Sequence, residues 1–229
     1  MANTFKWNKL YQYPASVRSL IEDQRHYAIG STKLPSVTTI LSATQSEEKK
    51  ASLAKWKAKV GDVQAEAIRN DAALRGTSMH SQVEHYLNGG GLLDLTNEGQ
   101  EASSMAKTII EQGLKDLQEI WASEATLYYD GLYAGATDMV GIYMGRDSII
   151  DLKQTNKPKK IEWVKDYLLQ LAAYAMAHDS MHNTQIEQGV ILMCSKDNFF
   201  QRFIVNGKEF KELKCEWLAR VDQFYSLKK

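Results

Sequence analysis

Cysteine is scarce in this chain, at two residues in 229, with Cys194 in an apolar run and Cys215 among helix-forming residues. A disulfide framework is therefore excluded as the source of stability, and a reducing, cytoplasmic setting is expected. Excess charge is missing too, because 28 lysines and arginines balance 28 aspartates and glutamates. A chain without net charge does not coat nucleic acid by composition, so any such binding needs a local basic patch. No apolar run is long enough to span a bilayer, and no membrane partner is expected. The N-terminal stretch MANTFKWNKLYQYP has neither the apolar core of a signal peptide nor the arginine-rich character of a transit peptide. Repeats and low-complexity segments are absent. What is present is a hydrophobic fraction of 44%, so one monomeric domain spanning 1–229 is expected.

The organising stretch runs from Gly131 to Tyr174. Ile150 and Leu152 alternate with Asp151 and Lys153, the pattern of a strand with one apolar and one polar face. The turn Met144-Gly145-Arg146-Asp147 joins it to a preceding strand. With Gly145-Arg146 as the loop, Asp138 stands across from Lys153. Directly opposed side chains lie roughly 5 Å apart, so Asp138, Asp151 and Lys153 converge on one face. Two carboxylates supply hard oxygen ligands for Mg²⁺ or Mn²⁺. The lysine can orient or deprotonate a water, or neutralise a pentavalent transition state. An Asp-x-Lys strand is also common on plain solvated faces. The small residues Ala134-Gly135-Ala136-Thr137 favour the catalytic alternative, because they let a backbone or ligand come close.

Gly135-Ala136-Thr137-Asp138, Ile150-Asp151-Leu152-Lys153 and the Gln170/Tyr174 pair resemble the RecB-type branch of the PD-(D/E)XK nucleases. Gly76, His80 and Glu84 match that branch's upstream Gly-x-x-x-His-x-x-x-Glu pattern, whereas Thr137 replaces the proline of the family name. The resemblance implies a Mg²⁺- or Mn²⁺-dependent deoxyribonuclease of DNA replication, repair or recombination. It points first to an exonuclease degrading single-stranded DNA from a free end. The alternatives are a duplex-processing recombination exonuclease, an endonuclease, and a non-catalytic DNA-binding module; intact Asp138, Asp151 and Lys153 argue against the last. By the same resemblance His80, Asp138 and Asp151 are metal ligands, Asp138, Asp151, Lys153 and Gln170 are catalytic, and Tyr174 helps position water or DNA. Glu84 is expected in a supporting place, and Glu124 is a site candidate whose distance from Asp138 the sequence does not reveal. Pro35-Ser36-Val37-Thr38 and Lys55-Trp56-Lys57 are similar to segments of the mitochondrial genome maintenance and phage-type exonucleases of this branch. That similarity implies a bacterial or phage-infected cell as the setting. Some relatives carry a four-cysteine iron–sulfur cluster, for which two cysteines do not suffice.

Taken in order, 5–30 is mixed aromatic and polar, with His26 to Gly30 as a short strand. Pro35 marks a helix entrance. Ser46 caps a helix running to Val60, with Glu47-Glu48 in its first turn. Its lysines and Trp56 are either a solvated face or a basic wall on which a DNA strand lies, with Trp56 stacking. Gly61 and Arg75-Gly76-Thr77 are expected to break helices, and Gly89-Gly90-Gly91 to stop the helix carrying His80 and Glu84 on one face. A zinc-protease pattern fails, because His85 directly follows Glu84. Met105, Ile109, Ile110, Leu114 and Leu117 predict a core-packed helix over 98–120, followed by a strand over 121–130. The loop Asn156-Lys157-Pro158-Lys159-Lys160 is either a solubilising turn or a phosphate contact through Lys157, Lys159 and Lys160. A helix over 161–178, strands over 185–194 and 199–205, and an amphipathic helix complete the chain. The fold class is α/β, a mixed central sheet flanked by helices. Residues 1–75 form an N-terminal helical layer over the active-site edge, and 76–229 form the core.

Overall fold

The computed structural model describes residues 5–91 and 97–227. Its centre is a five-stranded sheet whose spatial order follows the chain. The strands are β4 (Leu117–Tyr129), β5 (Tyr133–Tyr143), β6 (Arg146–Thr155), β7 (Gln188–Ser195) and β8 (Phe200–Asn206). Pairing is antiparallel except between β6 and β7. That parallel pair needs a crossover, and α5 (Lys165–His182) supplies it. β7 is buried along its whole length, as a strand covered on both faces must be. Against one face pack α5 and α6 (Gly207–Ser226) through Leu169, Phe210 and Trp217. Against the other pack α3 (Asp62–Leu87) and α4 (Asn97–Gln112) through Met79, Val83 and Ile109. The fold is thus the expected mixed α/β sheet flanked by helices.

The N-terminal part differs from the expected helical layer. Before α1 (Val37–Ala43) comes a three-stranded antiparallel sheet of β1 (Val17–Ile21), β2 (Gln24–Ile29) and β3 (Thr32–Pro35). β1 is exposed at four of its five residues, so it carries no apolar alternation to read. Its turn to β2 is Glu22-Asp23, both at positive φ, without the Asn-Gly or Asp-Gly that usually announces such a turn. Ser36 caps α1 by accepting the Thr39 N–H at 3.0 Å, as Pro35-Ser36 suggested. α2 (Glu47–Val60) is capped by Ser46 as expected and buries none of its residues.

Three further boundaries move. α3 runs unbroken through Gly76, because the buried Arg75 is clamped on both sides of its guanidinium. Its Nε donates to Gln154 Oε1 at 3.0 Å and its Nη2 to Asn156 Oδ1 at 2.5 Å, both at the end of β6. The helix expected over 98–120 stops at Gln112, after which Leu117 and Ile120 belong to β4. A side chain at Gly113 would stand 2.8 Å from the Ile109 carbonyl, so the chain can turn there only as glycine. The β5–β6 loop is Met144-Gly145, both at positive φ, rather than Gly145-Arg146. Among the described residues no helix is long and apolar enough to cross a membrane.

α5 also buries His178, whose Nε2 lies 3.0 Å from the Tyr13 hydroxyl and whose Nδ1 lies 2.8 Å from Thr184 Oγ1. Burial, reinforced by His182, pushes His178 down to about 3. The unfolded chain therefore takes up this proton first. The stability from a neutral His178 is complete above about pH 6.5 and is lost as pH falls toward 3. Between pH 7 and pH 5 this amounts to about 2 kcal/mol at 1.36 kcal/mol per pH unit. His178→Gln should flatten the pH dependence of denaturant unfolding by that amount; an unchanged slope would show that the histidine does not titrate this way.

Candidate active site

Three adjacent strands each bring one carboxylate to a single line. Ser123 pairs with Met139 and Ala125 with Thr137, so Glu124 lies opposite Asp138. Met139 pairs with Ile150, and one step further Asp138 lies opposite Asp151 rather than Lys153. Like charges directly opposed on a sheet destabilise it, so the row needs cations around it. The ladder ends at Met139–Ile150, and beyond it Asp138 Oδ2 accepts the Leu152 N–H at 2.6 Å. His80 comes down from α3 with Nδ1 3.2 Å from Asp138 Oδ1. Lys153 follows two residues after Asp151 on the same face, and its ammonium pairs with Asp151 Oδ2. The same ammonium lies 5.1 Å from the centre of the Tyr167 ring.

α5 covers the row from above. Gln170 Nε2 donates to the Tyr174 hydroxyl at 3.1 Å, as their four-residue spacing suggested. Tyr174 reaches this position only because Gly135 has no side chain: a Cβ there would lie 2.7 Å from Tyr174 Cε1. These groups, with Glu84, Arg18, Arg25 and Tyr27, line a cavity of about 590 Å³.

The charges are unequal in their fate. Burial raises Asp151 to about 6, with Lys153 working against it and Asp138 reinforcing it. Burial acts on Asp138 in the same direction, but His80, Lys153 and the Leu152 N–H outweigh it and hold the carboxyl below its ordinary value. Glu124 is pushed up to about 7 by desolvation and then by Asp138, with its open surface lying in the cavity. Burial disfavours charge on His80, yet Asp138 beside it prevails and raises the imidazole. Lys153 is likewise raised, by Asp151 and Asp138 against its own burial.

The ligating atoms of His80, Glu124 and Asp138 all lie within 4.8 Å of one another. Two carboxylates and an imidazole fit a divalent cation in both charge and donor type, with Mn²⁺ accepting the nitrogen more readily than Mg²⁺ does. Asp151, expected as a ligand with His80 and Asp138, lies outside this group and pairs with Lys153, whereas Glu124 lies within it.

No family model matches the chain. It is 27% identical over 205 residues to the human protein named mitochondrial genome maintenance exonuclease 1, a match covering 86% of this chain and 59% of that one. The Xenopus tropicalis protein of the same name is 29% identical over 216 residues, covering 84% and 61%. The chain thus spans about three fifths of the length of these relatives. A crystal structure of a candidate exonuclease from Eubacterium rectale superposes at a TM-score of 0.49 with 17% identity, over 67% of this chain and 64% of that one. The chain resembles PD-(D/E)XK-type exonucleases.

Of the nuclease-motif residues, His80, Asp138, Asp151, Lys153, Gln170 and Tyr174 all line one cavity. Trp56, Lys157, Lys159 and Lys160 lie outside its lining. Trp56 is half-exposed on α2, and Lys160 sits 5.8 Å from the Trp163 ring. Lys159 is tied by its backbone to Gln201 on β8. Glu124 was underrated in the sequence, although a three-residue turn at Asp130-Gly131-Leu132 already puts it opposite Asp138. The short strand expected over His26–Gly30 is part of β2 (Gln24–Ile29), but the sheet that sets Arg18, Arg25 and Tyr27 at the cavity is not signalled by the sequence. Glu124 also holds a φ of +49°, a left-handed backbone that costs a non-glycine residue about 1–3 kcal/mol.

Glu124→Gly removes both that strain and one charge of the row. In metal-free buffer it should raise the melting temperature by roughly 2–4 °C per kcal/mol recovered. Glu124→Gln removes the charge alone and should gain less. Equal melting of all three proteins would mean that neither strain nor repulsion is stored at this position.

Proposed function

We propose that the chain is a divalent-metal-dependent DNA exonuclease that hydrolyses phosphodiester bonds of single-stranded DNA from a free end, acting as a monomer and a single domain. The observation that carries this reading is the row Glu124–Asp138–Asp151 answered by His80 and Lys153 on one cavity floor. Relatives named as exonucleases support it. His80, Glu124 and Asp138 would hold Mg²⁺ or Mn²⁺, with Asp151 alongside. Such an ion supplies charge to offset the phosphoryl oxygens and lowers the pKa of water. Asp151 holds the Lys153 ammonium over the floor, where it offsets negative charge as the phosphorus becomes five-coordinate. Gln170 and Tyr174 hold the attacking water and the neighbouring sugar-phosphate in register. The cavity is closed on one side by β2 and α1 through Arg25, Tyr27, Ser36 and Thr38. A floor walled on one side suits a flexible strand, since a duplex must first be unpaired at a mean of ~1.4 kcal/mol per step. The lysines of α2 and Lys157, Lys159 and Lys160 then serve as an outer basic margin. A cytoplasmic setting remains our reading, beside relatives whose name is mitochondrial.

Chelation should abolish cleavage, with Mg²⁺ or Mn²⁺ restoring it. Lys153→Ala and Asp151→Asn should each slow cleavage by about 10²–10³; a Lys153→Ala protein as fast as wild type would remove Lys153 from the catalytic set, and a wild type that binds DNA without cleaving it in Mg²⁺ or Mn²⁺ would leave a DNA-binding module as the better reading. A linear single strand should be degraded while the same sequence closed into a circle resists. Equal cleavage of both would make the protein an endonuclease.

A further inference from the structure

A second cavity of about 600 Å³ adjoins the first and shares Arg18, Tyr27, Glu124 and Ala136 with it. Its origin is a gap in the pairing of β4. The N-terminal segment bonds that strand at Ile120, whose N–H donates to the Lys6 carbonyl at 2.9 Å and whose carbonyl accepts the Asn8 N–H at 2.8 Å. It touches the strand again at Thr126, where the Ser16 and Thr126 hydroxyls lie 2.8 Å apart. Between these points it runs past Tyr13, Pro14 and Ala15, and Ala122, Ser123 and Glu124 are left partly open as the floor of the second cavity. The two cavities therefore meet at Glu124, the residue whose left-handed backbone aims the strand at their junction.

The chemistry of the second cavity is not that of the first. Glu124 at the junction is the one carboxylate in its lining; otherwise the wall offers an arginine, hydroxyls, two tyrosines and small residues. Among the described residues Arg18 makes no ion pair, although it lines the same cavity as the carboxylates Glu84, Glu124, Asp138 and Asp151. On the β1–β2 hairpin it lies opposite Tyr27, so guanidinium and ring share one face. A free guanidinium takes a phosphate with two donors, while Tyr27, buried against Leu34 and Ala134, closes the wall behind it.

We propose that the second cavity is a nucleotide subsite. On this view the strand crosses Glu124, its cleavable phosphate lies on the carboxylate row, the next phosphate lies on Arg18, and the adjoining nucleotide fills the space along β4. This rests on the exonuclease reading and extends it by a separate site.

The test is binding of fluorescent oligothymidylate in chelator, read by anisotropy over a range of salt, with wild type, Ala15→Trp and Arg18→Gln. Ala15 is exposed and lines the second cavity but not the first, so tryptophan there fills space without touching the core. Ala15→Trp should weaken binding about tenfold, equivalent to 1.4 kcal/mol, while leaving the salt slope unchanged. Arg18→Gln should weaken binding and also flatten the slope of log K against log salt by about 0.7, the value for one phosphate contact on a single strand. Wild type binding well, with both variants within twofold of it, would overturn the subsite and leave the exonuclease reading standing. A wild type that binds no single strand would overturn both.

Discussion

Repulsion among three carboxylates on neighbouring strands is the constraint to which the rest of this site responds. Glu124, Asp138 and Asp151 are placed by strand register, and register cannot slip without turning every side chain of a strand to the other face. The charges are therefore fixed first and must be balanced in place. His80 balances Asp138 at 3.2 Å and Lys153 balances Asp151. Glu124 has no such partner among them and shifts toward its neutral form instead. A row with two cations and one unbalanced acid is poised to take up a further positive charge between Glu124 and Asp138.

The balancing cations are themselves held by devices distant from the row. His80 depends on the placement of α3, and α3 is pinned to the end of β6 by Arg75, Gln154 and Asn156. Gln154 returns a hydrogen bond to the Ala72 carbonyl at 2.9 Å, so helix and strand are tied in both directions. Since Gln154 follows Lys153 directly, one strand end carries both the Lys153 ammonium and the anchor of the helix that brings the imidazole. The α3 helix accepts Gly76 in its interior at a cost of about 1 kcal/mol relative to alanine, and the clamp at Arg75 is what holds it straight there.

Most of the candidate site was legible in the sequence, and the reason is the parity of strands. The hairpin loop was placed one residue too late, which set Asp138 against Lys153 instead of Asp151. That error moved every pairing by an even number of positions, so the same side chains stayed on the same face. Periodicity of two survives such a mistake; the identity of direct neighbours does not. Glu124 needed the register of a second hairpin, counted across its three-residue turn at Asp130–Leu132. Helix ends were less legible, because Arg75 overrides a glycine through contacts more than seventy residues away, and Gly113 ends a helix through close packing rather than turn chemistry.

Beyond the short strand at His26–Gly30, the β1–β3 sheet was illegible for a different reason. Its residues gain little from burial: β1 shows Val17 and Leu20 to solvent, and Tyr27 and Leu34 form only a small cluster with Ala134. Hydrophobic pattern reports where a chain seeks a core, and this sheet seeks none of its own. It is held instead by a bridge from Ser36 to Ala134 and by the Thr39 hydroxyl donating to the Arg25 carbonyl at 2.9 Å. Such a piece is thin, weakly cored and adjacent to the carboxylate row. Stability is not uniform across a structure, and elements with few buried contacts open at the lowest free energy. The floor of the cavity, built on the central five-stranded sheet with helices packed on it, is therefore its rigid half, and the wall bearing Arg18 and Arg25 is the half able to yield as a ligand passes.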